Sequence, residues 1–286
     1  MTSRTRGYKR RKASRPRARG RQYGNKRPKA IQRATNVPKS VMIKFVIDKT
    51  FVYDPAGAPS GSDPIQTGVI EISCNNMVQP INTGTSGGAW TVQDGSATDS
   101  VEGLSDWVGG AGGRYKKYMV MGAKLEVNTR ASTGTSTAGT TLVNNYAVGI
   151  HKCTSGNSDI TANTQLPTIQ KMAYTRLRNA SGVAAASGAS QAIQGTRLSD
   201  TYSAKKWEGV TNVKDNANLQ STLEATSPHN PVAPAQGGKF QLFIATREPA
   251  SKTKVVPPQL VRVKCEYIAL LTEPETADND PMVVTA

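Results

Sequence analysis

The sequence predicts an all-β fold, a single eight-stranded jelly roll of two packed antiparallel sheets, preceded by a basic arm. Apolar and polar residues alternate with a period of two in segments spread between residues 41 and 271. Long stretches rich in Gly, Ser, Thr and Asn separate these segments. Many strands joined by long crossing loops favour a double-sheet jelly roll over a meander barrel. The first 47 residues contain 16 Lys and Arg and not one Asp or Glu.

Eight segments are predicted as strands. In the first, Val41, Ile43, Phe45 and Ile47 share one face while Lys44 lies on the other, which is the pattern of a half-buried strand. The predicted strands are residues 41–53, 69–74, 115–127, 146–152, 169–177, 199–207, 240–246 and 260–271. One short helix is predicted over residues 99–108, capped by Asp99 or Ser100 and stopped by Gly109.

The charge divides the chain into two parts, an arm of residues 1–40 and a jelly-roll domain of residues 41–286. The whole chain has a net charge of +16, and the residues after Ile47 hold 20 basic and 20 acidic side chains, so they are neutral. Pro and Gly interrupt the arm every few residues, and it has almost nothing apolar to bury. The arm is therefore expected to be disordered until it meets a partner.

Nucleic acid is the partner that the arm predicts, since neutralising phosphates releases condensed counterions. No zinc-finger spacing, leucine-zipper heptad or RNA-recognition motif is present, so binding is expected to be independent of base sequence. The predicted nucleic-acid-binding residues are Arg4, Arg6, Lys9, Arg10, Arg11, Lys12, Arg15, Arg17, Arg19, Arg21, Lys26, Arg27, Lys29 and Arg33.

Two clusters in the arm are also typical of nuclear-import signals, which makes a host nuclear-import receptor a predicted partner. They are Lys9, Arg10, Arg11 and Lys12, and Lys26, Arg27 and Lys29. The alternative is that they supply only positive charge. The Pro and Gly spacing disfavours an organelle transit peptide. No apolar run is long enough for a membrane-spanning helix, so no membrane insertion is expected.

Catalytic and metal-binding signatures are weak, so the sequence predicts neither an enzyme nor a cofactor. The run from Gly84 to Gly88 matches G-x-S-x-G, but it lies in a loop instead of a strand-turn-helix. His151 and Cys153 could supply two metal ligands, yet no further Cys or His follows at zinc-site spacing, so no metal site is predicted. The odd number of cysteines, three, favours reduced buried thiols.

The three tryptophans, Trp90, Trp107 and Trp207, have two interpretations. They either pack in the core or anchor loops, or they are buried between copies of the chain, because Trp is enriched in interface hot spots. The long loops of a lone jelly roll would expose Trp90, Trp107, Val108 and Leu219, which favours contacts between subunits. Trp107 is the best single candidate because glycines flank its short apolar segment.

The arrangement resembles the circovirus-like capsid proteins of small, circular, Rep-encoding single-stranded DNA viruses. The resemblance lies in the strand at residues 114–127, in the lysine pair within residues 199–209, and in the final strand pair at residues 240–272. It implies a jelly-roll coat protein, sixty copies in a T = 1 icosahedral shell, and an arm that faces the packaged genome. It further implies a virion protein that passes through the host nucleus and a host attachment receptor that the sequence does not identify.

The charge of the arm agrees with that expectation. Sixty copies, each with a net charge of +16 that lies almost wholly in the arm, would carry about 960 positive charges, which neutralise on the order of one kilobase of single-stranded DNA. A coat protein of a small RNA virus is an alternative, because phosphate contacts do not distinguish DNA from RNA. A cellular basic nucleic-acid-binding protein is a further alternative.

Overall fold

The computed structural model describes residues 38–54, 67–86, 88–109, 113–131, 141–142, 145–154, 159–181, 195–223, 231–247, 254–255 and 258–274. All of these residues belong to one compact unit. They form two five-stranded antiparallel sheets, with a few short helices in the connections. Within these ranges no helix has both the length and the apolar character needed to cross a membrane.

The first sheet has the last strand of the chain at its centre. In spatial order its strands are β4 (Ala89–Val92), β1 (Ser40–Asp54), β14 (Gln259–Pro274), β5 (Tyr115–Ala131) and β9 (Thr196–Ser203). The inner face of β1 presents Phe45, Ile47, Phe51 and Tyr53 to the core, and all four are buried. The alternation seen in the sequence therefore sets which face of each strand turns inward.

The second sheet packs against the first. In spatial order its strands are β3 (Ile81–Ser86), β2 (Thr67–Ser73), β12 (Gly238–Thr246), β7 (Asn145–Thr154) and β8 (Thr175–Ser181). Ile70, Phe240, Leu242 and Ile150 belong to the same buried cluster as the inner residues of the first sheet. The main core thus lies between the two sheets, as in a sandwich.

The pairing order identifies a jelly roll. The two sheets contain ten strands, and eight remain when the short edge strands β3 and β4 are left aside. Counted along the chain, the first of these eight pairs with the eighth, the second with the seventh, the third with the sixth and the fourth with the fifth. These pairs are β1 with β14, β2 with β12, β5 with β9, and β7 with β8. That is one long antiparallel ribbon, bent at the β7–β8 connection and rolled into two sheets. The predicted fold class is confirmed.

The remaining described elements lie in the connections. The helices are α1 (Leu104–Trp107), α2 (Leu166–Lys171) and α3 (Ala204–Trp207), and two 3₁₀ turns span Val213–Asp215 and Ala217–Leu219. Strand β10 (Thr222–Leu223) pairs with β11 (Pro231–Val232), and β13 (Lys254–Val255) pairs in parallel with β6 (Thr141–Leu142). Residues 75–113 and 210–238 are two of the long stretches between predicted strands that the sequence favours as loops. In the structure they contain short regular elements.

Two of the predicted strands differ from the structure. Residues 169–177 contain the end of α2 and the start of β8, because Leu166 and Ile169 are both buried at a helical spacing. Residues 199–207 contain the end of β9 followed by α3. The predicted helix at 99–108 is shorter and begins after Gly103, while Gly109 has a φ of 67° and ends it as expected.

A second, smaller core covers the outer face of the second sheet. Ile160, Leu166 and Ile169 pack there against Phe243 and other buried strand residues. The covering segment, residues 159–172, belongs to the β7–β8 connection at the bend of the ribbon. The outer face of this sheet is thereby shielded from water next to β7, where the polar residues discussed below lie.

Candidate nucleic-acid interface

The fourteen basic arm residues from Arg4 to Arg33, including both import clusters, lie outside the described residues. Their roles remain predictions. The described chain starts at Pro38, whose carbonyl oxygen accepts a hydrogen bond from the Tyr115 Oη at 3.0 Å. This bond places the entry of the chain next to the first residue of β5.

A cleft lies at the end of the sandwich where the chain enters. Ser203, the last residue of β9, pairs with Gly122 of β5, and Gly122 pairs with Ile268, the partner of Lys44. The entry of β1 and the end of β9 therefore lie toward the same end of the first sheet. The second sheet reaches this end too, because the Tyr267 Oη donates to the Ser73 carbonyl at 2.8 Å.

The cleft has a volume of about 510 Å³ and opens between the edge strands of the two sheets. One wall belongs to the second sheet and the other to the end of β9 and the helix α3. The lining residues are Lys152, Thr154, Tyr174, Thr201, Tyr202, Ser203, Lys206 and Trp207. Aromatic and basic side chains thus face a single opening.

Lys152 lies between the sheets and connects the two walls. It ends the inner face of β7, and its Nζ donates to the Thr201 carbonyl at 2.9 Å and to the Asp200 carboxylate at 3.4 Å. The same ammonium group lies 5.3 Å from the centre of the Trp207 ring, within the range of a cation–π contact. These contacts hold α3 against the edge of the second sheet.

Tyr174 and Trp207 form the aromatic part of the cleft. Their rings meet edge to face with centres 4.9 Å apart. Tyr174 is 66% exposed and has a φ of 58°, a left-handed conformation that is costly for a tyrosine. Tyr174 therefore presents a largely exposed aromatic side chain at the cleft.

Positive charge predominates around the opening. Lys152 and Lys206 line the opening, and the exposed Lys205 and Arg176 lie in the adjoining elements α3 and β8, where Arg176 also pairs with Asp200. The acids are Asp200, buried beneath Lys152, and Glu208, which accepts from the Tyr202 Oη at 3.0 Å. Burial raises the pKa of the Glu208 carboxyl above its usual value.

The cleft has the chemical groups that single-stranded nucleic acid requires. Lysine and arginine side chains attract the phosphates, and an open aromatic face stacks on an unpaired base whatever its identity. The Nε1 of Trp207 is buried and, among the described residues, has no hydrogen-bond partner. The site offers charge and stacking without an arrangement of groups that would read a particular base.

The three tryptophans predicted as subunit contacts occupy different environments. Trp90 packs on Tyr53 with ring centres 4.7 Å apart and is 9% exposed. Trp107 is half-buried in α1, with the Arg114 guanidinium 5.1 Å above its ring. Trp207 lies in the cleft. The expectation that a single subunit exposes Trp90, Val108 and Leu219 is wrong, because all three are buried within the chain itself.

The cleft was not predicted from the sequence. Lys205, Lys206 and Trp207 are consecutive, and a basic pair beside an aromatic residue is a signal for nucleic-acid binding that could have pointed to this site. Tyr174 and Lys152 carry no such signal. They reach α3 only because the edge strands β8 and β9 meet at the side of the sandwich, where the Arg176 guanidinium donates to the Ser199 carbonyl at 3.2 Å.

No protein-family model and no curated protein matches this sequence. Among solved structures, the chain is similar to that of Desmodium yellow mottle tymovirus, with 9% identity and a TM-score of 0.34 over 88% of this chain and 98% of that one. The cryo-EM structure of Mud crab tombus-like virus gives 9% identity and a TM-score of 0.38 over 95% of both chains. The Penaeus stylirostris densovirus capsid gives 13% identity and a TM-score of 0.33 over 84% of this chain and 87% of that one. At these TM-scores, the fold assignment depends on the strand order and pairing of this chain.

Proposed function

We propose that the protein is a viral coat protein that assembles into a closed icosahedral shell and packages circular single-stranded DNA through its basic arm. The observation that supports this most is the combination of a jelly roll with an arm of 15 cations and no anion. Jelly rolls occur in viral capsids, lectins and cupins. Of these, a capsid subunit has the clearest use for a long polycationic segment, because it must neutralise a packaged polyanion.

The charges of the described body agree with a division of labour between body and arm. On the outer face of the first sheet, Lys44 pairs with Glu266 at 2.9 Å, and Arg197 pairs with Glu126 at 3.2 Å. Arg262 binds Asp48 through two hydrogen bonds. Glu266 and Glu126 each pair with a second cation as well, Lys264 and Lys124, so these cations share carboxylates, whereas the arm has no acid at all.

Purification of the full chain and electron microscopy test the assembly directly. We expect uniform spherical particles of the size of a sixty-subunit shell. Nuclease treatment of nucleic acid extracted from them distinguishes the cargo, and we expect sensitivity to a single-strand DNase and resistance to RNase. A cargo digested by RNase would make the protein an RNA-virus coat protein, and a chain that stays monomeric with its nucleic acid would contradict the capsid proposal.

Nuclear entry of the subunit is the second part of the proposal, because a small DNA genome of this kind would be packaged in the nucleus. The two clusters of the arm, residues 9–12 and 26–29, support it. A fluorescent fusion of residues 1–40 should accumulate in the nucleus of a eukaryotic cell, and alanine replacement of both clusters should return it to the cytoplasm. If the wild-type fusion stays in the cytoplasm, the clusters do not act as import signals and serve only in packaging.

Trp107 is the tryptophan that we propose as a contact between subunits. Its ring is only half-buried within the chain, whereas Trp90 is covered by Phe51 and Tyr53. Truncating a hot-spot residue at an interface to alanine lowers the binding free energy by about 2 kcal/mol or more. Trp107→Ala should therefore reduce particle yield while the melting temperature of the unassembled subunit falls little. Trp90→Ala is the matched control and should lower the melting temperature first. Normal particle yield from Trp107→Ala would assign Trp107 to the subunit core.

The cleft is proposed as a secondary contact for single-stranded nucleic acid, because it places the exposed Tyr174 ring beside the lining residues Lys152 and Lys206. Losing one base stack weakens binding by about 5- to 100-fold. Tyr174→Ala should weaken the binding of several short oligonucleotides of unrelated sequence to this extent. The affinities should be measured at salt concentrations that screen the charge of the arm. Met42→Ala, which removes another exposed apolar side chain from the far face of the first sheet, should leave the affinity unchanged. Equal affinities for the two variants would remove the cleft from the nucleic-acid interface.

A further inference from the structure

A histidine, a cysteine and an aspartate meet on the outer face of the second sheet. His151 and Cys153 are two residues apart on β7, so their side chains point to the same face. An imidazole nitrogen, the Cys153 Sγ and an Asp159 carboxylate oxygen all lie within 4.8 Å of one another. We propose that these three side chains bind a Zn²⁺ ion.

The burial of the three residues suits a metal site with one open side. His151 and Cys153 are 4% and 3% exposed, while the Asp159 side chain is 42% exposed. The nitrogen and sulfur donors are therefore held inside the protein, and the carboxylate closes the site from the solvent side.

The imidazole of His151 is already oriented by a second contact. Its Nδ1 lies 2.9 Å from the Thr175 Oγ1 of the neighbouring strand, and its Nε2 lies 3.0 Å from the Asp159 Oδ2. When Nδ1 donates to Thr175, Nε2 presents a lone pair to a carboxylate oxygen. Two acceptors at that distance need a proton or a cation between them. Zinc-ligating histidines usually have the opposite ring nitrogen held by such an outer partner.

Asp159 is held in place by a buried polar row that crosses the sheet. Gln241, which is fully buried, is the cross-strand neighbour of both Glu71 and His151. Its Oε1 accepts from the backbone N–H of Ile160 at 3.1 Å, and its Nε2 donates to the Glu71 Oε1 at 3.0 Å. Because Ile160 directly follows Asp159, this amide fixes the backbone that carries the third ligand.

The donor set selects the metal. Imidazole nitrogen together with thiolate sulfur suits Zn²⁺, whereas Mg²⁺ and Ca²⁺ prefer oxygen ligands. A thiolate and a carboxylate would balance the two positive charges of the ion. Three protein ligands leave the fourth tetrahedral position for water. The bound ion would tie β7 to the segment 159–172, which covers the outer face of the second sheet.

Titration of the metal-free full chain with Co²⁺ tests the proposal, because a cobalt–thiolate bond absorbs in the near ultraviolet. The chain has three cysteines and two histidines, and Cys74 and Cys265 are fully buried in the main core, so the band reports on Cys153. We expect one equivalent of Co²⁺ to produce the band, one equivalent of Zn²⁺ to remove it, and Zn²⁺ to raise the melting temperature.

Substitutions distinguish a specific metal site from adventitious metal binding. Cys153→Ser should abolish the band. Asp159→Asn, at an exposed position that tolerates substitution, should weaken Zn²⁺ binding about tenfold or more, and Thr175→Val should weaken it by about 10- to 100-fold. Asp94→Asn, the matched exposed carboxylate, should change nothing. The absence of a band in the wild-type chain would mean an ordinary His151–Asp159 hydrogen bond and overturn the proposal. A band that survives Cys153→Ser, or Zn²⁺ affinity unchanged in Asp159→Asn, would overturn it as well.

Discussion

Deletion of residues 2–37 is expected to lower the affinity for single-stranded DNA by about a thousand-fold or more near physiological salt. The deleted segment carries the fourteen basic residues from Arg4 to Arg33 and no acid. A protein that makes 6–10 phosphate contacts already loses about 10³–10⁵ in affinity as salt rises from 50 to 200 mM. Filter binding across a salt series should therefore show both a weaker affinity and a much shallower salt dependence.

The body is expected to stay folded in the same experiment. The first strand begins at Ser40, and the Tyr115 hydrogen bond to Pro38 is retained. Circular dichroism and the melting temperature should match those of the full chain. Two full-length controls separate charge from sequence: an arm with all fourteen basic residues replaced by Gln should bind as weakly as the deletion, and an arm with the same residues in scrambled order should bind normally. Failure of the scrambled arm would reveal sequence-specific contacts.

Tyr267→Ala is expected to have the largest effect on stability. Tyr267 lies in the middle of the central strand β14, is 0% exposed, and its Oη donates to the Ser73 carbonyl of the opposite sheet. Truncating a buried aromatic side chain costs about 3–5 kcal/mol. In a domain of this size, each kcal/mol corresponds to about 2–4 °C in melting temperature.

Two matched variants distinguish the contribution of the Tyr267 ring to stability from that of its hydroxyl group. Tyr267→Phe keeps the packing and removes one hydrogen bond, so it should cost about 1 kcal/mol. Ile268→Ala changes the next residue of the same strand, whose side chain is 49% exposed, and should stay within about 0.5 kcal/mol of the wild type. If alanine at position 267 and alanine at position 268 lowered the free energy of unfolding equally, Tyr267 would not be part of the core. Chemical denaturation of the unassembled subunit gives all three values.

The long strands could be predicted from sequence because one face of each is buried and the other is not. Phe45 and Ile47 alternate with exposed or half-exposed residues in β1, and Val263, Cys265 and Tyr267 do the same in β14. Burial on one face imposes a period of two on the sequence. In β2 and β12 both faces are covered, and there the run of apolar residues is nearly continuous.

The errors arose where an apolar pattern was too short to separate helix from strand. Leu166 and Ile169 are three residues apart, which fits one helical turn as well as part of a strand. The cleft and the His151–Cys153–Asp159 cluster were only partly visible in the sequence, in the run Lys205–Trp207 and in the pair His151 and Cys153. The remaining members, such as Tyr174 and Asp159, join them only through the packing of the sheets and of the β7–β8 connection, which residue spacing does not reveal.

The position of β14 has a consequence for how the protein is made. This strand fills the gap between β1 and β5 and pairs with both along most of its length. During synthesis, the arm and the other thirteen described strands leave the ribosome before β14 does. Until residues 259–274 emerge, β1 and β5 have no shared neighbour and the first sheet has no centre. Long-range pairing of this kind is slow to form. The arm therefore emerges while the body is still unfinished, so the nucleic-acid binding that we propose for it can precede completion of the subunit.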